Sequence, residues 1–171
     1  MSTDRVFTTL SAEEEETILQ QCRRITIQKD ETLLRKGEET NALYIVKSGE
    51  LRVMDELPGE KVYLCSIGRN ELFGEMSFLD ESPRSASVQA TRETELYRLT
   101  KEEFVRLLLE EPKIAARLVL AISIMLVKRL RRADRALTSL AASPRGGLSG
   151  GDLEKLLEVV RGQEGPSIRN R

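Results

Sequence analysis

Between residues 22 and 99 the chain alternates short apolar-rich runs with turn formers. The runs read RRITI, TLLR, ALYIVKSG, LRVMD, KVYLCSIG, ASVQA and ELYRL, and Gly37, Gly49, Pro58-Gly59 and Gly68 punctuate them. β-branched and aromatic residues in runs this short, separated by tight turns, predict an antiparallel jelly roll or barrel. Outside this region the period changes to that of helices. Ser11 with Glu14 forms a capping box ahead of a short acidic helix reaching about Gln21. Thr100 with Glu103 repeats the device for a helix to about Glu110, and Pro112 then occupies the first turn of a long helix ending near Ala142.

That last helix would be roughly 45 Å long at 1.5 Å per residue, more than one small barrel can cover. Ile114, Leu118, Ile122 and Met125 make one apolar stripe. Ala116, Val119, Ser123, Leu126, Leu130, Ala133, Leu137 and Leu140 make a second, spaced alternately three and four. The first stripe stops near Met125 while the second runs on as a heptad seam. The pattern predicts a helix packed on its own barrel at first and on a second copy throughout, a homodimer through residues 112–142. A single amphipathic helix folded back on the barrel is the alternative. Lys128, Arg129, Arg131, Arg132 and Arg135 crowd five cations into eight residues. They read as a solvated face, a lid over a ligand, or a patch for an anionic partner.

After residue 142 the composition shifts to SPRGGLSGG, a flexible-linker sequence. Asp152 then caps LEKLLEVVRG, which carries Leu153, Leu156, Leu157 and Val160 on one side. Residues 1–142 therefore read as one domain and 143–171 as linker and amphipathic tail. Charge excludes less than it usually does: 27 basic against 28 acidic residues leave a net charge of −1, so nothing steers the whole molecule to nucleic acid. The chain contains no histidine. Imidazole-held metals, histidine-dependent triads and haem-histidine ligation are excluded with it. Cys22 and Cys65 lie in apolar runs and read as reduced, buried hydrophobes in a cytoplasmic protein. The longest apolar run, residues 114–127, is 14 long and includes Arg117, too short and too charged to span a bilayer.

Residues 72–88, LFGEMSFLDESPRSASV, carry the chemistry. Phe73-Gly74-Glu75 joins a glycine, which lets backbone approach a ligand, to a carboxylate that accepts from a hydroxyl. Nine residues later Arg84 offers a planar fork for phosphate, next to the hydroxyl and backbone N–H of Ser85. One group for a sugar hydroxyl and another for a phosphate, at opposite ends of a short apolar turn, describe a pocket for a phosphorylated ribose.

The segment resembles the phosphate-binding cassette of cyclic nucleotide-binding domains, found in the bacterial catabolite activator, protein kinase A regulatory subunits and gated channels. It matches FGE, small apolar residues and then PRxA[ST]V without a gap. The likeness covers roughly residues 7–140, since LYIVKSGELRV resembles the family's first barrel strands, and residues 95–99, Phe104, Pro112 and the long helix resemble its closing elements. It implies a mainly β fold, an antiparallel jelly-roll β-barrel (double-stranded β-helix) with an N-terminal and a long C-terminal helix. It implies a ligand, cAMP with cGMP possible, and no catalytic cofactor or metal. The Gly74 backbone and Glu75 would meet the ribose 2′-hydroxyl. Arg84 would pair with the cyclic phosphate, aided by Ser77 and Ser85. Leu64 would face the base, with Phe73, Met76 and Ala86 completing the wall. Where the catabolite activator sets a threonine-serine pair against adenine, a gapless alignment places Arg129 and Leu130. The adenine contact therefore does not carry over, and Arg129 becomes a candidate to cover the base.

The 29 residues after Ala142 hold one short helical run, too little for a helix-turn-helix with its own core. The sequence thus reads as a non-enzymatic, stand-alone sensor that signals to an unidentified downstream protein, without a DNA-binding domain. A ligand-free jelly-roll adaptor and a cGMP-selective sensor are the alternatives.

Overall fold

The computed structural model describes residues 9–57 and 60–141; the Pro58-Gly59 turn, the linker and the tail read above lie outside them. Helix α1 (Ala12–Gln21) precedes strands β1 (Arg23–Ile27), β2 (Thr32–Leu34), β3 (Leu43–Ser48), β4 (Leu51–Leu57), β5 (Glu60–Ile67) and β6 (Leu72–Phe73). Helix α2 (Glu75–Asp80), strands β7 (Ser87–Ala90) and β8 (Thr94–Leu99), and helices α3 (Lys101–Glu110) and α4 (Pro112–Ala141) follow. The strands form two four-stranded antiparallel sheets, ordered β1-β8-β3-β6 and β2-β7-β4-β5. The expected jelly roll with flanking helices is the fold observed. Both capping boxes are present, Ser11 with Glu14 and Thr100 with Glu103.

Strand β3 shows why one β-layer supports two cores. Its side chains alternate between the faces of the sheet. Tyr44 and Val46 enter the barrel interior with Leu51, Val53 and Leu96. Leu43 and Ile45 point the other way, into a second cluster with Ile18, Leu107, Leu118 and Ile122 from three helices. A strand buried on both faces reads as a continuous apolar run, which is what LYIV is. The first stripe of α4 supplies this outer cluster: Leu118 and Ile122 have no exposed surface, each contributing roughly 1.5–3 kcal/mol of burial. Arg117 adds a tie to α1 through Glu14 at 2.7 Å and the Thr9 carbonyl at 2.9 Å. Both cysteines are free thiols, and burial pushes the Cys22 thiol up to about 12.

The turn between β3 and β4 closes against β8 without room to spare. Gly49 has φ +98°, and a Cβ there would lie 2.6 Å from the Thr94 Cα and 2.7 Å from the Glu93 carbonyl oxygen. Thr94 is fully buried, and its hydroxyl accepts from the Glu50 N–H at 3.1 Å. Backbone is the obstacle here, so the clash cannot be relieved by a rotamer change. Gly49→Ala is expected to destabilise the fold by on the order of 2–4 kcal/mol, combining left-handed strain with overpacking. Chemical denaturation checks this; a loss under about 0.5 kcal/mol refutes the close packing of this corner.

Candidate functional site

The apolar turn expected after Gly74 is a helix, α2, and its caps explain why it is so short. Gly74 at its start and Glu81 at its end both lie in the left-handed region, φ 80° and 61°. The helix's own bonding begins with the Phe78 N–H donating to the Gly74 carbonyl at 3.1 Å. The N–H groups of Glu75, Met76 and Ser77 are thereby left for partners outside the helix. Phe78 anchors the helix from below, edge-on to Phe104 of α3 with ring centroids 5.4 Å apart.

Arg84 is 3 % exposed. Its backbone is clamped to the β2–β3 connection, where the Arg84 N–H donates to the Glu38 carbonyl at 2.9 Å and its carbonyl accepts from the Gly37 N–H at 2.8 Å. Its guanidinium donates to the Thr40 hydroxyl at 2.9 Å, the Gly74 carbonyl at 3.1 Å and the Ala42 carbonyl at 2.8 Å. All three acceptors are neutral. Burial draws the pKa below the ordinary guanidinium value, against the opposing fields of Tyr44, Glu38 and Glu75, and the group stays a cation at any neutral pH. Arginine has five N–H donors, so Nη1 and Nη2 each keep one beyond these bonds. Gly74 makes the clasp possible: a Cβ there would sit 2.8 Å from Nη1 of Arg84 and 2.9 Å from the Ala42 carbonyl oxygen.

Glu75 is buried at the first turn of α2. Its Oε1 accepts from Arg129 Nη1 of α4 at 2.6 Å, and Nη2 of Arg129 donates to the Leu72 carbonyl at 3.3 Å. A residue 54 positions away in sequence thus holds the carboxylate. Arg129 was expected over a ligand; it does line the same cavity, but its guanidinium is engaged with the cassette.

That cavity measures about 380 Å³, within the range of small-molecule sites. Phe73, Gly74, Glu75, Met76, Ser77, Arg84, Ser85, Ala86 and Arg129 all line it, which brings nine of the ten expected residues together. Ser85 is exposed, with its hydroxyl 3.7 Å from the Met76 sulfur. Leu64 is not among the lining residues: it packs in the barrel core, as do Cys65 and Ile67, which with Ser66 also line the cavity. The cause is an irregularity in β5. Val53 pairs with Cys65 but Met54 with Tyr63, leaving Leu64 as the extra residue, and a bulge of this kind re-aims the side chains around it. Leu34, Val53 and Val88 on the barrel side are wall residues that sequence reading did not single out, and Leu126, Leu130 and Ala133 on α4, read from sequence as seam residues, line the cavity as well. Their apolar character was visible; their convergence depends on the sheet register and on where α4 crosses.

Comparison with known proteins adds to this geometry. Residues 24–111 match the model of the cyclic nucleotide-binding domain. The cyclic AMP receptor protein of Thermus thermophilus is 36 % identical over 137 residues, 80 % of this chain and 62 % of that protein. The crystal structure of the Thermus thermophilus catabolite activator protein superposes with a TM-score of 0.71 at 35 % identity, covering 80 % of this chain and 63 % of that one. A cyclic nucleotide-binding domain from Methylobacillus flagellatus gives 0.70 at 27 % identity, covering 82 % and 78 %. The chain spans about three fifths of the length of its Thermus relative. With the family's domain matched over more than half its residues and the cassette built around one cavity, this chain belongs to the cyclic nucleotide-binding domain family.

Proposed function

We propose that the cavity binds a 3′,5′-cyclic mononucleotide, cAMP before cGMP, and that the domain is a non-catalytic sensor passing ligand state through α4 to a partner protein. The observation that carries this reading is the Arg84 clasp. Among the described residues no carboxylate is in direct contact with this buried cation, whose bonds go to neutral acceptors, and a cyclic phosphate would supply that contact. Glu75, fixed from behind by Arg129, accepts the ribose 2′-hydroxyl, and the apolar wall of Leu34, Val53 and Val88 takes the base. Engagement of Arg129 with Glu75 leaves it poorly placed to read guanine O6 and N7, which favours cAMP, the ligand for which the Thermus relative is named.

The same reading includes a homodimer through α4. Ala116, Leu120, Ser123, Val127, Leu130 and Leu137 form an exposed row at heptad spacing. The seam expected from sequence also included Val119, Leu126 and Ala133. These are half-buried, and Leu126 packs in the helix cluster while lining the cavity. The row available to a second copy is therefore rotated toward Leu120 and Val127.

Calorimetry and thermal melting with cAMP and cGMP test the ligand. At about 100 times its dissociation constant the ligand should add roughly 2.7 kcal/mol of stability. Neither heat nor a melting shift with either nucleotide at millimolar concentration would falsify the reading. Arg84→Ala is expected to cost on the order of 2–5 kcal/mol of binding, and Arg84→Lys should also weaken it through loss of the fork.

Glu75→Gln is expected to weaken cAMP while leaving 2′-deoxy-cAMP within about twofold of its wild-type affinity, since a hydroxyl–carboxylate bond is worth roughly 1.5–3 kcal/mol. Equal losses for both ligands, measured by competition, remove Glu75 from ribose recognition.

For the dimer, Val127→Glu with Leu130→Glu should give a folded monomer by light scattering. A wild-type chain that is monomeric at high micromolar concentration eliminates the interface.

A further inference from the structure

Met76 is 52 % exposed on the first turn of α2, and it lines the cavity together with Ser85. Its sulfur accepts the Ser85 hydroxyl at 3.7 Å. A thioether is a weak acceptor, so the hydroxyl is held loosely and can turn to a stronger oxygen in the cavity. Exposure separates this sulfur from the other oxidisable groups of the described residues. Met125 and Cys65 are buried, and Met54 is half-buried. Burial pushes the Cys22 thiol up to about 12, which withholds the thiolate that oxidants attack.

We propose that Met76 is a modification site: a hydroperoxide converts it to the sulfoxide ahead of Met54 and Met125, and the sulfoxide captures the Ser85 hydroxyl. The step balances without a further reactant. A sulfur lone pair forms the S–O bond as the peroxide O–O bond breaks, and the proton on the transferred oxygen passes to the departing oxygen. Sulfur gives up two electrons and the peroxide takes them, hydrogen peroxide leaving as water. The terminal bonds of a methionine side chain rotate freely, so the new oxygen can swing to the hydroxyl that the sulfur held. That oxygen is the negative end of a strong dipole and accepts far better than the thioether did.

The consequence for ligand binding rests on the reading proposed above; capture of Ser85 does not. A captured hydroxyl is one donor fewer for a phosphate beside Arg84, and the sulfoxide oxygen brings partial negative charge to the same end of the cavity. Arg84 keeps its place in the clasp. Affinity therefore falls without being abolished, by about tenfold for one hydrogen bond to a charged group. Methionine sulfoxide reductases reverse the modification, so the site ties the nucleotide response to peroxide exposure.

The test treats the full chain with limiting hydrogen peroxide and follows each methionine by peptide mass spectrometry. Met76 is expected to oxidise at least about fivefold faster than Met54 or Met125. At full Met76 oxidation, calorimetry should show cAMP affinity reduced about tenfold, and a methionine sulfoxide reductase should restore it. Met76→Leu and Ser85→Ala, whatever their starting affinities, should each change by less than about twofold on the same treatment. Capture is read without ligand, by amide hydrogen exchange. Exchange at residues 84–86 should slow about threefold or more on oxidation of the wild-type chain and stay unchanged in Ser85→Ala. Met76 oxidising no faster than Met54, exchange that does not respond, or a Met76→Leu or Ser85→Ala chain that loses as much affinity as wild type overturns the proposal. An untreated chain that binds neither nucleotide removes the ligand assignment instead, and the exchange comparison then decides capture by itself.

Discussion

The buried Arg84 guanidinium sets the geometry around it. Removing a cation from water costs several kcal/mol unless its donors are satisfied, and here three of the five are met, by the β2–β3 connection on one side and by Gly74 on the other. The consequence is mutual positioning. The Gly74 carbonyl can face Arg84 only with the left-handed backbone found there, and that backbone starts α2 immediately, placing Glu75 in its first turn. Tyr44, stacked on Phe73 with centroids 5.1 Å apart, lies 5.8 Å below the guanidinium and closes the assembly from the barrel side. The cassette is thus a clasp whose parts hold one another, with its unspent donors at the cavity.

Helix α4 depends on the same layer from its other side. Leu43 and Ile45 of β3 present a face that only an apolar stripe can cover, and Leu118, Ile122 and Met125 do so. These positions follow the 3.6-residue period and so drift around the helix. By Arg129 the contact has become polar and has moved from the sheet to the cassette. The helix is anchored by burial through its first half and by a part-buried ion pair near the cavity, with an exposed apolar row beyond.

Much of this was legible in the residues. Two capping boxes, seven of the eight strands and the long helix follow from period and turn chemistry, because each is decided by neighbours in sequence. The site segment was legible for a different reason: Gly74, Glu75, Arg84 and Ser85 are special residue types at close spacing. What escaped is set by distant partners. The two-residue strand β6 exists only by pairing with β3. The displacement of Leu64 reflects a register shift against β4, to which the run VYLCSI gives no clue. The bond from Arg129 to Glu75 requires knowing where a 30-residue helix crosses the barrel, and five neighbouring cations in the sequence offered no means of choosing one. The exposed face of α4 turns on the same crossing, which is why Leu126 and Leu130 look alike in sequence and differ in burial.

On the proposed reading, the Glu75–Arg129 pair also sets the sign of a coupling between ligand and helix. An ionised carboxylate has two oxygens and about four acceptor positions, and Arg129 occupies one of them. On that reading, a ribose hydroxyl donating to Glu75 would add to the ion pair without displacing it. It is the docked position of α4 that keeps the Glu75 charge compensated in a buried place. With α4 withdrawn, the carboxylate would lose its ion-pair partner, leaving more of its charge to oppose an incoming phosphate. On the proposed reading, ligand and docked helix would favour each other, and linkage would make the effect reciprocal: the factor by which α4 raised nucleotide affinity would equal the factor by which nucleotide stabilised α4. Couplings of this kind run to about 1–3 kcal/mol. On the same reading, a second copy acting on the exposed row beyond Leu130 would alter nucleotide affinity only as far as it shifts Arg129 toward or away from Glu75.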